Sequence, residues 1–589
     1  MSDQFDREEI MQGIGVSPGV AIGPAFILAE ENMHVPERKI EPAAVFGEIA
    51  RFEEALVETR KQIRQIQQTL REQTQSKDAS ILDAHLMVLD DRTFIEEVIV
   101  NVRRDFKNIE WVVQSASDKY ASVLDAVEDD YLRERVADVK DIARRIIRNL
   151  LGTAAVSHSD FPQNHILVAD DLAPSETASL PKDTVIGFAT NLGSPTSHTA
   201  VMARALEIPA VVGLHDITGR VRAGCNILID GNKGVLIINP SKVHLKEYGK
   251  LVKARRSIED GLSSIQHEPA QTKDGHRITL SANAESPADV ETVIHHGANG
   301  IGLLRSEFLY MASDHIMTEE EQTKIYTDIA KKLNPAPLIV RTLDLGGDKF
   351  IPGQRIRKEE NPFLGCRSIR VSLKYPAFFK QQLRAILRAS KYGNVRIMYP
   401  MISSVSEVLD ANRFLAEAKE EVKAEGCKFD ENISVGVMIE IPAAALAADT
   451  IAEHVDFFSI GTNDLVQFTI AVDRGNELVA YLYEPTHPAV LKLIKMTIDA
   501  AHANGIWVGL CGQMAADPLM TGLLLGMGVD ELSVNPRAVP LVKDTIRSLV
   551  FSQATELASK ALACKSASEV LVHCRNLTEK VAPEILELI

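Results

Sequence analysis

From about His276 onward the chain carries eight short apolar runs: Ile278–Ala282, Gly302–Leu304, Leu338–Thr342, Val395–Tyr399, Val435–Ile439, Phe457–Ile460, Trp507–Leu510 and Glu531–Val534. Amphipathic segments of helical length separate most of them. Eight strand–helix units in about 300 residues predict a (β/α)8 barrel, a TIM barrel. A doubly wound α/β sheet is the structural alternative.

The remainder divides by texture. Residues 1–36 and 155–240 alternate short β-branched runs, such as Ala21–Ile27, Ile166–Ala169 and Val235–Ile238, with Gly and Pro turns. They read as the two parts of one compact α/β domain. Between them, over 37–154, glycine and proline nearly vanish and apolar residues recur every three to four positions among charges. That pattern predicts a helical unit inserted into the α/β domain. Residues 241–270 read as a helical linker, and 271–589 as the barrel. The predicted fold class is therefore multidomain α/β, as expected for a chain of 589 residues, which is too long for one hydrophobic core.

A formal net charge of −17 argues against general nucleic-acid binding, which needs basic surface. No apolar run approaches a membrane span, and Met1–Met11 is polar without a signal-peptide core. The six cysteines are far apart with no CxxC pair. These features predict a cytoplasmic protein without membrane insertion, and they exclude a zinc knuckle.

Polar residues cluster where barrel strands end. Strand 2 runs into Arg305-Ser306-Glu307, and strand 3 contains Arg341 and runs into Asp344-Leu345-Gly346-Gly347-Asp348-Lys349. Strand 5 ends at Glu440, strand 6 runs into Asn463-Asp464 with Arg474 beyond, and strand 7 ends in Cys511-Gly512. In a barrel these ends converge on one face. Guanidinium forks match phosphate and carboxylate oxygens. Glu440 and Asp464 are hard oxygen ligands suited to Mg²⁺ alongside substrate oxygens. Asn463 is placed to orient a substrate, and Cys511 to exchange a proton. Each feature alone has a plainer reading, such as an Arg305–Glu307 structural ion pair or an inert buried cysteine. Their coincidence at five strand ends favours a site.

A second centre lies at Gly193-Ser194-Pro195-Thr196-Ser197-His198-Thr199-Ala200. A small-residue turn delivers His198 onto the first turn of a predicted helix, capped by Thr196 or Ser197. The helix N-terminus favours both a phosphoryl dianion and the neutral, nucleophilic imidazole. Thr177 is a candidate hydrogen-bond partner for that ring.

These motifs, with Gly13–Gly19, Asp170–Thr177, Asn361-Pro362-Phe363-Leu364-Gly365-Cys366-Arg367 and Phe457–Leu465, closely resemble the Enzyme I family of the bacterial phosphotransferase system, over essentially the full length. The chain begins without the extra sensory domain of some nitrogen-related relatives. The resemblance implies a swivelling phosphohistidine domain, an inserted helical docking site for the carrier protein HPr, and a barrel that binds phosphoenolpyruvate and forms the homodimer. It makes His198 the phosphorylated residue, with Arg305, Arg341, Asn463 and Arg474 on phosphoenolpyruvate. Glu440 and Asp464 match the magnesium ligands and Cys511 the proton donor that completes pyruvate. One departure is Gly193-Ser194-Pro195, where many relatives have Gly-Gly-Arg. The rivals are a pyruvate phosphate dikinase or phosphoenolpyruvate synthase, which need an ATP-grasp domain that this sequence does not show, and a non-catalytic regulatory homologue.

Overall fold

The computed structural model describes residues 8–17, 19–28, 35–74, 86, 89, 91–125, 130–152, 164–172, 184–193, 200, 203, 208–246, 248–249, 261–262, 264–311, 317–346, 359, 361–474, 476 and 479–587. The chain forms two compact units, Met1–Lys253 and Ala254–Ile589.

In the first unit, strands β1 (Glu9–Gln12), β2 (Ile14–Ser17), β3 (Val20–Ile27), β4 (His165–Ala169), β5 (Val185–Thr190), β6 (Ala210–Val212), β7 (Asn226–Asp230) and β8 (Val235–Ile238) form one sheet, in the order β1-β8-β7-β3-β4-β5-β6-β2. Period-two alternation loads both faces. On β4, Leu167 and Ala169 join one apolar cluster while Ile166 and Val168 join the other. That explains why the strand reads as an unbroken apolar run.

β3 and β4 are parallel neighbours, with Ala25 opposite Ile166. The chain between them forms helices α1 (Val45–Thr74), α2 (Arg92–Asp105), α3 (Ile109–Asp125) and α4 (Asp130–Leu151). These helices bury their own core, in which Phe52, Val98, Val102, Ile109, Val113, Ile146 and Ile147 meet. On α2 the buried residues Phe94, Val98 and Val102 recur every fourth position. Asp91 caps that helix by accepting from Thr93 N at 2.8 Å.

Near the end of the first unit residues 242–246 and 248–249 are helical, and at the start of the second so are 261, 262 and 264. Residues 265–270 leave the helix. There, Lys543 Nζ donates to the Gln266 carbonyl at 2.5 Å.

The second unit is a closed parallel barrel of β9 (Thr279–Ala284), β10 (Ile301–Arg305), β11 (Leu338–Arg341), β12 (Val395–Tyr399), β13 (Val435–Ile439), β14 (Phe457–Gly461), β15 (Trp507–Cys511) and β16 (Glu531–Val534). Closure is made by β16 on β9, with Glu531 opposite Thr279. All eight strands fall at the positions that the sequence predicts, within two residues. Outward side chains such as Leu304, Val340, Ile397 and Val437 pack under the helices. Leu303, Ile339, Met398, Met438, Phe457 and Cys511 fill the interior. Gly436 leaves room for the Phe457 ring: a Cβ there would lie 2.4 Å from it.

Candidate active site at the barrel mouth

The strand ends carry the chemistry. Arg305, Arg341 and Cys511 are the last residues of β10, β11 and β15, and Glu440 follows β13 directly. β14 ends at Gly461, and Asn463 and Asp464 open the helix Thr462–Ile470. Inward positions alternate along each strand, so these side chains meet at one end of the barrel.

A chain of alternating charges crosses the mouth. Arg341 Nη2 donates to Glu307 Oε1 at 2.7 Å, and its Nη1 lies 3.0 Å from Asp344 Oδ2. Arg367 Nη2 donates to Asp344 Oδ1 at 2.9 Å and lies 3.8 Å from Asp464 Oδ2. Arg474 Nη2 is 3.7 Å from Asp464 Oδ1. Burial works against the Arg341 charge, but Glu307, Asp344 and Glu440 hold it firmly protonated. Burial would raise the Asp344 carboxyl; Arg341 and Arg367 outweigh it and keep it below its ordinary value.

Arg305 and Arg474 are the open members, 35% and 39% exposed in their side chains against 11% for Arg341. Arg305 Nε and Arg341 Nε are buried without hydrogen-bond partners. Spare guanidinium donors beside a buried ion network suit an oxyanion, because unpaired buried donors are costly.

Glu440 is buried, and its Oε1 accepts from Met401 N at 2.6 Å. Burial, and then the nearby Asp344 and Asp464 charges, push its carboxyl up to about 8. Crowded carboxylates of this kind gain most from a cation, which reverses the local preference. Glu440 and Asp464 therefore fit Mg²⁺, which takes one or two protein carboxylates together with phosphate oxygens and water.

Cys511 lies on the floor of the mouth. Ser459 Oγ donates to its Sγ at 3.6 Å, and the thiol faces the Ile460 carbonyl, also at 3.6 Å. Burial pushes the thiol up to about 11, so it stays protonated at neutral pH. Beside it Gly512 has φ +104°, and a Cβ there would lie 2.4 Å from Thr462 Oγ1 and 3.0 Å from Asn463 Oδ1. Only glycine fits there. Gln513 N donates to Asn463 Oδ1 at 3.0 Å, which leaves the amide's Nδ2 to donate elsewhere.

Three family models match the chain. They are PEP-utilising enzyme, N-terminal, over residues 12–135; PEP-utilising enzyme, mobile domain, over 161–234; and PEP-utilising enzyme, PEP-binding domain, over 259–551. The phosphoenolpyruvate-protein phosphotransferase of Bacillus subtilis (strain 168) is 41% identical over 567 residues, covering 96% of this chain and 99% of that protein. The chain belongs to the phosphoenolpyruvate-protein phosphotransferase family. The Haemophilus influenzae protein of the same name is 42% identical over 562 residues, 95% of this chain and 98% of its own. A solution structure of Enzyme I (nEIt) is 39% identical and covers 42% of this chain and 99% of that one, with a TM-score of 0.37.

Of the residues that the Enzyme I family pattern singles out, Arg305, Arg341, Glu440, Asn463, Asp464, Arg474 and Cys511 stand together at the barrel mouth. His198 and Thr177 lie outside the described residues, as do Asp348 and Lys349. The plainer reading set aside for Arg305, an ion pair with Glu307, is absent from the structure. Arg305 Nη1 donates to Glu285 Oε1 at 2.5 Å, and Glu307 turns to Arg341. The reason is that β10 and β11 set Arg305 opposite Arg341, so a residue just past β10 reaches the neighbouring strand's guanidinium.

Arg367 and Asp344 are the members that sequence reading missed as site residues. Their signal was present: Arg367 closes the Asn361–Arg367 motif, and Asp344 opens the loop after β11. Gly346 pairs with Arg367 across an isolated antiparallel bridge, which carries that arginine to the mouth.

Proposed function

We propose that this chain takes the phosphoryl group of phosphoenolpyruvate onto His198, releases pyruvate, and passes the group to the histidine of an HPr-type carrier, the first step of the phosphotransferase system. The observation that supports this most is the barrel mouth itself. Guanidinium donors, a pair of crowded carboxylates and a neutral thiol meet there in a chain whose relatives carry that activity.

Arg305, Arg341 and Arg474 bind the phosphate and carboxylate oxygens, and Asn463 orients the substrate through Nδ2. Glu440 and Asp464 hold Mg²⁺, which when bound offsets negative charge on the phosphate and the developing enolate. A neutral His198 ring nitrogen forms the N–P bond as the bond from phosphorus to the bridging enol oxygen breaks. Arg305 and Arg341 stabilise the charge spread over the equatorial oxygens. Cys511 gives its proton to the methylene carbon of enolpyruvate, which yields pyruvate, and the thiolate regains a proton from water. A thiol with a pKa near 11 suits a donor that must be protonated when the enolate forms.

The division into residues 1–36 with 155–240, a carrier-docking insert at 37–154, a linker at 241–270 and a barrel at 271–589 follows from this reading. His198 and the barrel then belong to separate bodies, and the linker supplies the swing. Thr177 supports the His198 ring. The barrel forms a homodimer and the enzyme works in the cytoplasm; no helix among the described residues is long and apolar enough to cross a membrane.

The test is incubation with ³²P-phosphoenolpyruvate and Mg²⁺. Acid-labile, base-stable label is expected on the wild type and absent from His198→Ala, and it should move to HPr on mixing. Label that persists in His198→Ala overturns the assignment.

A further inference from the structure

The interior of a barrel is layered, and this one has a second polar layer at the end opposite the active site. On β15 the inward positions are Cys511, Gly509 and Trp507; on β16 they are Ser533 and Glu531; on β12 they are Met398 and Arg396. Arg396, Trp507 and Glu531 therefore share the layer nearest the strand N-termini. They line a cavity of about 820 Å³, whose wall includes His276 stacked on Phe551 at 3.8 Å. That volume lies within the range of small-molecule sites.

Two groups of opposite sign in this cavity, Glu531 and Arg396, have no ion-pair partner within salt-bridge distance among the described residues. Glu531 is only 5% exposed, and its Oε1 has no hydrogen-bond partner. Ser281 and Arg396 are near enough to favour the ionised form, but burial dominates and raises the carboxyl above its ordinary value. Ser281 Oγ does not reach hydrogen-bonding geometry with Oε1. The Arg396 guanidinium lies over the Trp507 ring, 5.3 Å from its centroid. Among the described residues no carboxylate forms an ion pair with it.

We propose that this cavity binds a small zwitterion, an α-amino acid with an apolar side chain. Its carboxylate is received by Arg396 and its ammonium by the Glu531 carboxylate, and its side chain lies against Trp507 and Phe551. A bidentate carboxylate contact is the geometry a guanidinium favours. An ammonium supplies a charge-assisted donor to the Glu531 carboxylate, which forms no ion pair among the described residues. The site is distinct from the barrel mouth, because the interior layer of Leu303, Ile339, Met398 and Met438 separates the two.

The chain has two tryptophans, Trp111 on α3 and Trp507 in the cavity, so Trp111→Phe leaves Trp507 as sole reporter. Titrating L-phenylalanine into that full-length variant should give a saturable change in Trp507 emission. 3-Phenylpropionate and phenethylamine each lack one charge and should bind at least about tenfold more weakly. Arg396→Met should abolish the preference for phenylalanine over phenethylamine, and Glu531→Gln the preference over 3-phenylpropionate. Both variants should retain phosphoryl transfer from phosphoenolpyruvate, which also reports that they fold. If Glu531→Gln fails that check, the Arg396→Met comparison decides alone. An absent or non-saturable response to phenylalanine overturns the proposal, as does equal binding of all three probes. The phosphoryl-transfer reading of the barrel mouth stands or falls separately, on the His198 label.

Discussion

Arg341 holds two buried carboxylates, Glu307 and Asp344, and still keeps a buried Nε–H without a partner. Truncating it leaves the buried Glu307 carboxylate unanswered and Asp344 with Arg367 alone. Arg341→Met should therefore lower barrel stability by about 3–5 kcal/mol, seen as an earlier denaturation midpoint, and should abolish phosphoenolpyruvate binding. An unchanged midpoint would show that the network relaxes without it. Cys511 is the opposite case, because its packing is modest and its proton matters. Cys511→Ala should slow pyruvate release by about 10²–10⁴-fold while phosphoenolpyruvate binding persists, as equilibrium dialysis would report. Its sign with pH also follows. The thiol's ordinary value is 9.0 and the folded one about 11, so this group's stabilising share is complete below pH 9 and is lost as pH rises through 11. Alkylation of Cys511 in the folded protein should accordingly be slow at pH 8 and accelerate toward pH 11; fast labelling at pH 8 would remove the neutral-donor role.

At the scale of elements, barrel closure fixes where bulk is tolerated. The β13–β14 register sets Gly436 beside Phe457, and that ring occupies the space a side chain would take. Gly436→Ala should cost about 1–3 kcal/mol through overpacking, read from thermal melts, with no direct effect on the mouth chemistry. Strand positions were legible in the sequence, because short apolar runs bounded by turns encode the period locally. Arg341 and Cys511 could be placed at strand ends for the same reason. The reach of Arg367 to Asp344 and Asp464 could not be read, because it depends on a loop bridge and on the neighbouring strand. Nor could the partner of Glu307 be read, because strand adjacency, not sequence proximity, delivers the Arg341 guanidinium to it.

At the scale of the molecule, the parallel pairing of β3 with β4 makes the intervening helices an insertion with a core of their own. Replacing residues 37–154 with a Gly/Ser linker of about a dozen residues, the length a parallel crossover needs, should leave His198 able to take label from phosphoenolpyruvate. Transfer to HPr should be lost. If transfer survives, the carrier docks elsewhere.

The sequence by itself determined the alternation that makes a barrel, the helical insert, and the kinds of side chain delivered to the strand ends, since each is written in residues close along the chain. Tertiary structure alone decided which charges meet, why the Cys511 thiol stays protonated, and that Arg396 and Glu531 share a cavity at the other end of the barrel. Those outcomes depend on burial and on neighbours from distant strands, which local sequence does not encode.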